Sequence, residues 1–444
     1  MIFKIENQKS IVYVVLSALL YVFIVYFLER TDFYFLLLSF ALLFGFYYKI
    51  ISLQKNNFTF LVFSALFFRV VFIFCLPNLS QDFYRFIWDG RLIATGINPY
   101  LHLPKELILS STFQLPQAQE LVNGMGSLSA EHYSNYPPIN QLCFFLAAFF
   151  SPNSIYGAAI TLRLIIILAD LGTLYFGKKL LQELGLESYS IFWYVLNPLV
   201  ILELSGNLHF EGVMLFFFII SIYLGYKNRF LFAGIFFGLS IMTKLVPLLL
   251  LPIFINYLGW KKSIVFYIVV LSTCLLVFIP FLSSALVHNY LETIGLWFTN
   301  FEFNASIYYV IREIGYYSKG YNVIHTVGKI IPLFVILFIV FKAFFSKNNS
   351  VVHLFTSFLM VLTVYFFTAT TVHPWYLINL ILLSVFTKYK FPIYWSFLII
   401  LSYYAYSVLP FKENLYLIFV EYGLVYSIFG YEVFRIHKLG LQKT

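Results

Sequence analysis

The chain has 444 residues, of which 61% are hydrophobic, 22% aromatic and only 11% charged, and its mean hydropathy is +0.87. A soluble fold needs more polar surface than these residues supply, so the composition excludes a soluble globule and predicts an integral membrane protein. The formal net charge is +9, but the basic residues stand singly or in pairs at the ends of apolar runs, a positive-inside pattern that argues against a nucleic-acid partner.

The apolar runs predict an all-α, polytopic transmembrane helical bundle. They recur from Ile11 to the C-terminus, and a helix of roughly 20 residues spans a hydrocarbon core. We expect about fourteen helices, with a range of twelve to fourteen, and we expect the first to be retained because no small-residue cleavage site follows it. The predicted helices are 11–28, 33–48, 58–77, 155–177, 189–204, 209–226, 229–243, 246–259, 263–282, 323–345, 351–370, 374–388, 391–409 and 413–433.

The distribution of positive charge sets the predicted orientation, with both termini in the cytoplasm. This arrangement places seventeen of the 28 lysines and arginines inside and seven outside. Two extracytoplasmic segments, 78–154 and 283–322, are too long to be turns. Within the first, residues 136–152 are predicted to form a helix that lies in the interface, because a spanning helix there would carry Lys178 and Lys179 outside.

The helices group into three predicted units, without internal repeats. These are an N-terminal two-helix hairpin (1–57), a catalytic membrane core (58–390), and a C-terminal two-helix hairpin with a cytoplasmic tail (391–444). Lys244 and Pro247 interrupt the apolar stretch from Phe230 to Tyr257. This stretch is either two short helices that meet at the outer face or one long kinked helix.

The segment 82–91 is unusually rich in charge for this largely apolar chain, since four of its ten residues are charged. On a helix, Asp82, Arg85 and Asp89 share one face, which predicts an amphipathic juxtamembrane helix. This pattern alone supports two interpretations about equally. In the first, Arg85 pairs with both aspartates and makes an interfacial helix soluble. In the second, the charged side chains act on a polar substrate.

The same segment, followed by 96–100 (Gly-Ile-Asn-Pro-Tyr), resembles the first outer loop of GT-C glycosyltransferases, most closely the mannosyltransferase-like branch that uses polyprenyl-phosphate-linked sugars. Further similar elements follow in order over roughly residues 58–390: Tyr136-Pro137-Pro138, Arg163 with Asp170, 197–203, 206–211, 243–247 and 373–376. The resemblance implies that an acidic residue of this loop, here Asp82, is the catalytic or metal-binding group. Many relatives carry an acidic pair where this chain has Gln81-Asp82, so we expect no cofactor, with a divalent metal as the less favoured alternative.

Site residues are assigned from this resemblance and from their chemistry. Asp82 is the expected catalytic base, and Asp89 is either its substitute or the residue that orients Arg85. The candidates for binding the donor phosphate are Arg85, Arg91, Lys244 and His373, and those for binding substrate are Tyr136, His209, Glu211, Trp375 and Tyr376. Polar residues in an outer turn and aromatic residues at the interface also occur for structural reasons, which leaves His209, Glu211, Trp375 and Tyr376 open. Arg163 and Asp170 are expected to find partners on neighbouring helices, and we favour a structural network for them.

The expected function is an inverting transfer of a sugar from a polyprenyl-phosphate donor to an acceptor hydroxyl at the extracytoplasmic face. The expected sugar is mannose. The expected partners are this donor, the bilayer, and an acceptor that is a glycan, a lipid-linked saccharide or a protein. The expected location is a bacterial inner membrane. Two alternatives remain: a polytopic transporter or lipid flippase, which would carry charges throughout the bundle, and a non-catalytic relative that binds polyprenyl lipids.

Overall fold

The structure is a computed structural model that describes residues 8–408 and 410–441. Residues 1–7 of the predicted N-terminal hairpin, Leu409, and residues 442–444 of the predicted tail lie outside the described residues. Within the described part the chain is all-helical, and its one β-type contact is an isolated bridge between Phe303 and Thr371. This confirms the predicted all-α fold class.

Seven helices of the described part are long and apolar enough to cross a membrane. They are Lys9–Tyr26, Phe33–Gln54, Ile155–Glu183, Trp260–Phe281, Ile324–Phe345, Val351–Thr368 and Leu415–Lys438. An eighth span is formed if the pair Pro198–Gly206 and Glu211–Tyr226, bent by 113°, is one broken helix. Shorter apolar helices are Phe58–Val70, Pro138–Phe150, Phe230–Ile241, Val246–Leu258, Pro374–Val385 and Phe391–Tyr406. All the predicted helical segments thus contain helix, although many are too short to cross alone.

The first outer segment folds into four helices instead of an open loop. They are Asp82–Ala94, Pro104–Leu107, Ala118–Ala130 and Pro138–Phe150. The first and last of these helices pack closely because residue 90 is glycine: a Cβ atom there would lie 2.0 Å from the Phe144 carbonyl oxygen. The rings of Phe86 and Phe144 stack across the same contact, with centroids 4.6 Å apart. The packing fixes the direction in which the helix that begins at Asp82 points.

The second outer segment contains two helices, Leu286–Thr299 and Ile307–Lys319. Between them the chain runs beside the residues that follow Val351–Thr368, since the Phe303 backbone nitrogen donates to the Thr370 carbonyl (3.1 Å) and the Phe303 carbonyl accepts from the Val372 nitrogen (2.8 Å). The second outer segment therefore lies beside the residues that lead to His373.

The N-terminal helices Lys9–Tyr26 and Phe33–Gln54 pack against each other as a hairpin. At one end Gln54 donates to the Ser10 hydroxyl (3.0 Å). At the other end the Asp32 carboxylate accepts from the Glu29 backbone nitrogen (2.9 Å), which closes a short turn over residues 27–32. This turn carries Arg30.

The stretch after Arg229 divides into two helical pieces. The helix Phe230–Ile241 ends before Lys244, and a 3₁₀-helix (Val246–Ile253) then leads into Phe254–Leu258. Pro247 cannot donate a backbone hydrogen bond, which accounts for the break. A backbone hydrogen bond joins the break to the first outer segment: the Met242 carbonyl accepts from the Ile139 nitrogen (2.9 Å). Of the two predicted arrangements, the interrupted one is found.

Three charged side chains, Arg69, Asp170 and Arg163, are buried between helices. Asp170 accepts from Arg69 at both Nε (3.0 Å) and Nη2 (2.8 Å), and also from the Tyr194 hydroxyl (3.2 Å). Arg163 donates to the carbonyls of Ser205 (2.6 Å) and Ile73 (3.0 Å). These contacts join the span Ile155–Glu183 to its neighbours, as expected for a structural network.

Candidate active site

Asp82 stands in the first turn of the helix Asp82–Ala94, where its side chain is only partly exposed. Within the described residues its carboxylate has no hydrogen-bond or ion-pair partner, so both oxygens can receive a proton or a ligand. Burial raises the pKa of Asp82, while the positive charges of Lys244 and Arg30 oppose that rise. A partly desolvated carboxylate without a hydrogen-bond partner is suited to accept a proton.

Lys244 reaches this region from the break after Phe230–Ile241. Its Nζ forms an ion pair with Oε1 of Glu211, the first residue of the helix Glu211–Tyr226. The Glu211 side chain is buried, whereas that of Lys244 remains 20% exposed. The ammonium is therefore held in place by Glu211 and still has an open side.

Arg30 is a site residue that the sequence did not single out. Its guanidinium carbon lies 3.3 Å from the centroid of the Tyr406 ring, and its Nε is buried without a hydrogen-bond partner in the described part. Its charge acts on Asp82 and on His373. No motif surrounds Arg30, and it appeared in the sequence only as one of the basic residues outside the membrane. Only the packing of the hairpin turn against Tyr406 brings its charge within range of Asp82.

A stack of four rings forms one wall of the site. His209 lies over Trp375 (centroids 3.8 Å apart), Trp375 over His373 (4.4 Å), and His373 over Phe303 (4.9 Å). Burial, together with Lys244 and Arg30, lowers the pKa of His373 to about 3, so its imidazole is neutral at physiological pH. Its Nδ1 is buried and has no partner in the described part. His373 therefore offers a neutral ring nitrogen to a ligand.

His209 lies against the carboxylate of Glu203, which has hydrogen-bond partners of its own. Its Nε2 lies 3.4 Å from Oε2 of Glu203. Glu203 in turn accepts hydrogen bonds from Asn207 (2.9 Å) and from the Tyr403 hydroxyl. His209 and Glu211 are both buried, which is unlike the solvated outer turn in which polar residues are needed only for solubility.

Tyr136 and Tyr376 lie within electrostatic range of Asp82. The Tyr136 ring packs edge-on against Phe86 (centroids 5.0 Å apart), and the Tyr376 ring stacks on Phe366 (5.9 Å). Burial raises the pKa of both tyrosines, and the negative charge of Asp82 adds to the rise. Both therefore stay protonated and can donate a hydrogen bond.

The three other charged residues of 82–91 are buried and have hydrogen-bond partners of their own. Asp89 accepts from Arg85 Nε (2.7 Å), Ser134 Oγ (2.5 Å) and Gln141 Nε2 (3.0 Å). Arg85 also donates to the carbonyls of Ser129 (2.5 Å) and His132 (2.9 Å). Arg91 donates to the Pro116 carbonyl and to Gln117 (3.1 Å). The structure does not bring Asp89, Arg85 and Arg91 together with Asp82. Instead, they hold its helix against the outer segment.

Gln81 has a structural partner at the position where an acidic residue was expected in relatives. Its side-chain amide donates to the Met125 carbonyl (3.1 Å), which a carboxylate cannot do. Across the described residues, no group of three or more His, Cys, Asp or Glu side chains is placed to hold a metal ion.

An apolar groove begins beside Lys244 and runs between Val246–Ile253, Ile324–Phe345 and the end of Val351–Thr368. Its volume is about 280 Å³, and its lining includes Leu245, Ile331, Val335 and Tyr376. Other lining residues, such as Leu248 and Ile336, are about half exposed on the outer surface of the bundle. The groove therefore runs from the outer surface of the bundle to Leu245, which follows Lys244, and to Tyr376, which packs against Trp375.

Two comparisons with known proteins agree with each other. Residues 19–259 match a family model described as "Alpha-(1->6)-mannopyranosyltransferase, N-terminal domain". Over 153 residues the chain is 26% identical to alpha-(1->6)-mannopyranosyltransferase B of Corynebacterium glutamicum, a stretch that covers 34% of this chain and 24% of that relative. The aligned part is thus about a quarter of the relative's length.

Proposed function

Because the chain belongs to the alpha-(1->6)-mannopyranosyltransferase family, whose model matches residues 19–259, we propose that it is a membrane mannosyltransferase of the GT-C type. It transfers mannose from a polyprenyl phosphate to a hydroxyl of a glycan, a lipid-linked saccharide or a protein. The observation that carries this proposal is the carboxylate of Asp82, which has no hydrogen-bond partner in the described part and lies within electrostatic range of Lys244 and Arg30. An apolar groove begins next to Lys244 at Leu245.

The proposed reaction is a single displacement at the anomeric carbon. Asp82 accepts the proton of the acceptor hydroxyl while the acceptor oxygen forms a bond to that carbon. The bond from the anomeric carbon to the phosphate oxygen breaks, and polyprenyl phosphate leaves with the electron pair. One displacement by one activated acceptor inverts the configuration. Lys244 and Arg30 stabilise the negative charge that grows on the leaving phosphate.

The groove supports a lipid-linked donor. Its apolar lining fits the first isoprene units, and its exposed edge allows the rest of the chain to remain in the bilayer. Lys244 precedes Leu245, one of the lining residues, so a phosphate at the end of the lipid meets the open side of that ammonium. Here Glu211 acts through Lys244 and is a positioning residue.

The ring stack and the two tyrosines support sugar recognition. Partly exposed rings such as Trp375 pack against the apolar faces of sugars, while the neutral His373 and the Tyr136 and Tyr376 hydroxyls can bind sugar hydroxyls. These rings and hydroxyls add uncharged hydrogen-bonding groups to the site, which suit a neutral acceptor.

The positions of the basic residues support an extracytoplasmic site in an inner membrane. Glu211–Tyr226 begins at the site and ends next to Lys227 and Arg229, and Lys261 and Lys262 follow near the same end. The side opposite Asp82 thus carries the cluster that the positive-inside rule assigns to the cytoplasm.

The proposal is tested with purified protein in lipid nanodiscs, a panel of polyprenyl-phosphate sugars, and membrane extract as the acceptor source. We expect a mannosylated product by mass spectrometry, with little product from the glucose-linked donor. Release of mannose from a nucleotide sugar, or net movement of intact donor across a vesicle membrane without any product, would contradict it. No turnover with any acceptor fraction would indicate a lipid-binding relative.

Metal dependence is examined in the same assay. Since Gln81 is engaged with the Met125 carbonyl, Asp82 is the single acid of its pair, and we expect EDTA to leave the rate within about twofold of the untreated rate. Strong inhibition that Mg²⁺ or Mn²⁺ reverses would show that a divalent cation takes part in the reaction.

The pH dependence tests the role of Arg30. The active form of Asp82 is the carboxylate, so activity falls as the pH drops through its pKa, and Arg30 lowers that pKa. In Arg30→Gln the pKa rises, and the acid limb of the kcat profile should move to higher pH by about half to one unit. Lys412→Gln is the control, because Lys412 is an exposed cation of the same outer region. An unchanged acid limb would show that Arg30 does not act on Asp82.

A further inference from the structure

An open cavity of about 680 Å³ lies at the membrane face opposite Asp82. It sits where Phe230–Ile241 and Trp260–Phe278 begin. Three cations line it, Arg229, Lys261 and Lys262, and no acidic residue does. The site of sugar transfer lies at the other end of Glu211–Tyr226, so this cavity is separate from it.

Close packing of the two helices brings these cations together. Cβ atoms at Gly234 and Gly238 would lie 2.9 Å from Val269 and 2.8 Å from Thr273, so the glycines allow close contact at two positions one turn apart. The paired positions increase together along both helices, which therefore run in the same direction. Their first residues stand side by side as a result, and the basic residues there face one space.

The three cations lack counter-ions within the described part of the chain. Nearby Lys227 forms an ion pair with Glu183, but Arg229, Lys261 and Lys262 have no acidic partner there. The contact found for Lys262 is with the Phe230 ring, whose centroid is 4.8 Å from Nζ. Because like charges repel at short range, three unpaired cations around one cavity favour an anionic occupant.

The walls of the cavity identify the kind of anion. Leu231 and Phe232 are each 58% exposed and Val265 is 47% exposed, and all three line the cavity. In a membrane-spanning chain such residues contact acyl chains, so the ligand has an anionic head and an apolar tail. We infer that the cavity binds the headgroup of an anionic phospholipid in the leaflet opposite the transfer site.

The binding is measured by native mass spectrometry of the full chain, titrated with phosphatidylglycerol or phosphatidylcholine. The test variant combines Arg229→Gln, Lys261→Gln and Lys262→Gln. The control variant combines Lys49→Gln, Lys55→Gln and Lys347→Gln, three exposed lysines predicted to lie on the same side of the membrane. Thermal unfolding and mannosyl transfer report whether each variant is folded.

We expect wild-type protein and the control to retain phosphatidylglycerol at least tenfold better than phosphatidylcholine. One cation near an anionic headgroup contributes about fivefold in affinity, so the test variant should lose at least tenfold and the single change Lys262→Gln about fivefold. Equal retention by the test variant and the wild type would overturn the inference. So would equal binding of the two lipids by the wild type, or competition by inorganic phosphate as strong as that by phosphatidylglycerol. If the test variant does not fold, the inference is judged from Lys262→Gln and from the preference of the wild type for phosphatidylglycerol over phosphatidylcholine.

Discussion

Replacing Asp82 with asparagine is expected to lower kcat for mannosyl transfer by about 10² to 10⁴-fold, the usual contribution of a general base. Asparagine keeps the shape of the side chain but cannot take the acceptor proton. Donor binding should remain within a few fold of wild type, because Lys244 and the groove are untouched. Single-turnover assays with polyprenyl-phosphate mannose separate the two effects.

Two further variants make this experiment specific. Glu106→Gln removes an exposed acid of the same outer segment and should leave kcat unchanged. Asp89→Asn should reduce activity mainly by reducing the amount of folded protein, since Asp89 binds the buried Arg85. Turnover of Asp82→Asn near the wild-type rate would rule out Asp82 as the base.

The largest expected effect on stability comes from Arg69→Leu. Arg69 and Asp170 form an ion pair in which each side chain is only 1% exposed. Removal of the arginine leaves a buried carboxylate with Tyr194 as its remaining hydrogen-bond donor, and breaking such a pair costs about 3–5 kcal/mol. Thermal unfolding in detergent, or the yield of monodisperse protein, measures the loss.

The double variant Arg69→Leu with Asp170→Leu provides the matched control. Replacement of both partners by apolar residues leaves no unpaired charge, so a substantial part of the lost stability should return. For comparison, Lys105→Ala breaks an ion pair that is largely exposed and should lower the unfolding temperature far less than Arg69→Leu does. If the single and double buried variants unfold alike, charge pairing is not what holds these helices together.

Local sequence was enough to predict the helical class and several members of the candidate site. Long apolar runs dictate helices in a membrane, and Lys244 followed by Pro247 marks a break where a lysine can face a cavity. The structure brings Lys244, Glu211, His209, His373 and Trp375 to one region. These residues were recognisable because each is polar or aromatic at the end of an apolar run.

The helical pattern alone did not separate the two aspartates of one helix, which were ranked only through the resemblance, and it did not identify Arg30. Asp82 and Asp89 share a helical face in projection, but the turn around Asp89 is covered by Ser134 and Gln141. Those contacts form only because the segment 95–137 folds back onto the helix Asp82–Ala94. No local sequence pattern predicts that tertiary arrangement. Arg30 likewise reaches Asp82 through tertiary packing alone. Helix lengths differed because breaks such as the 113° bend after Gly206 depend on neighbouring helices.

The hairpin turn that carries Arg30 also bears on how the chain can be divided. A shortened protein that begins at Phe58 would retain Asp82, Lys244 and the groove. It would nevertheless lack the guanidinium that lies against Tyr406. A protein that lacks residues 1–57, the predicted N-terminal hairpin, would therefore still insert into the membrane as a helical bundle. Without Arg30, however, one positive charge near Asp82 would be missing. A minimal catalytic version, or a chimera with a related chain, needs to keep the first two helices or supply a replacement cation at that place.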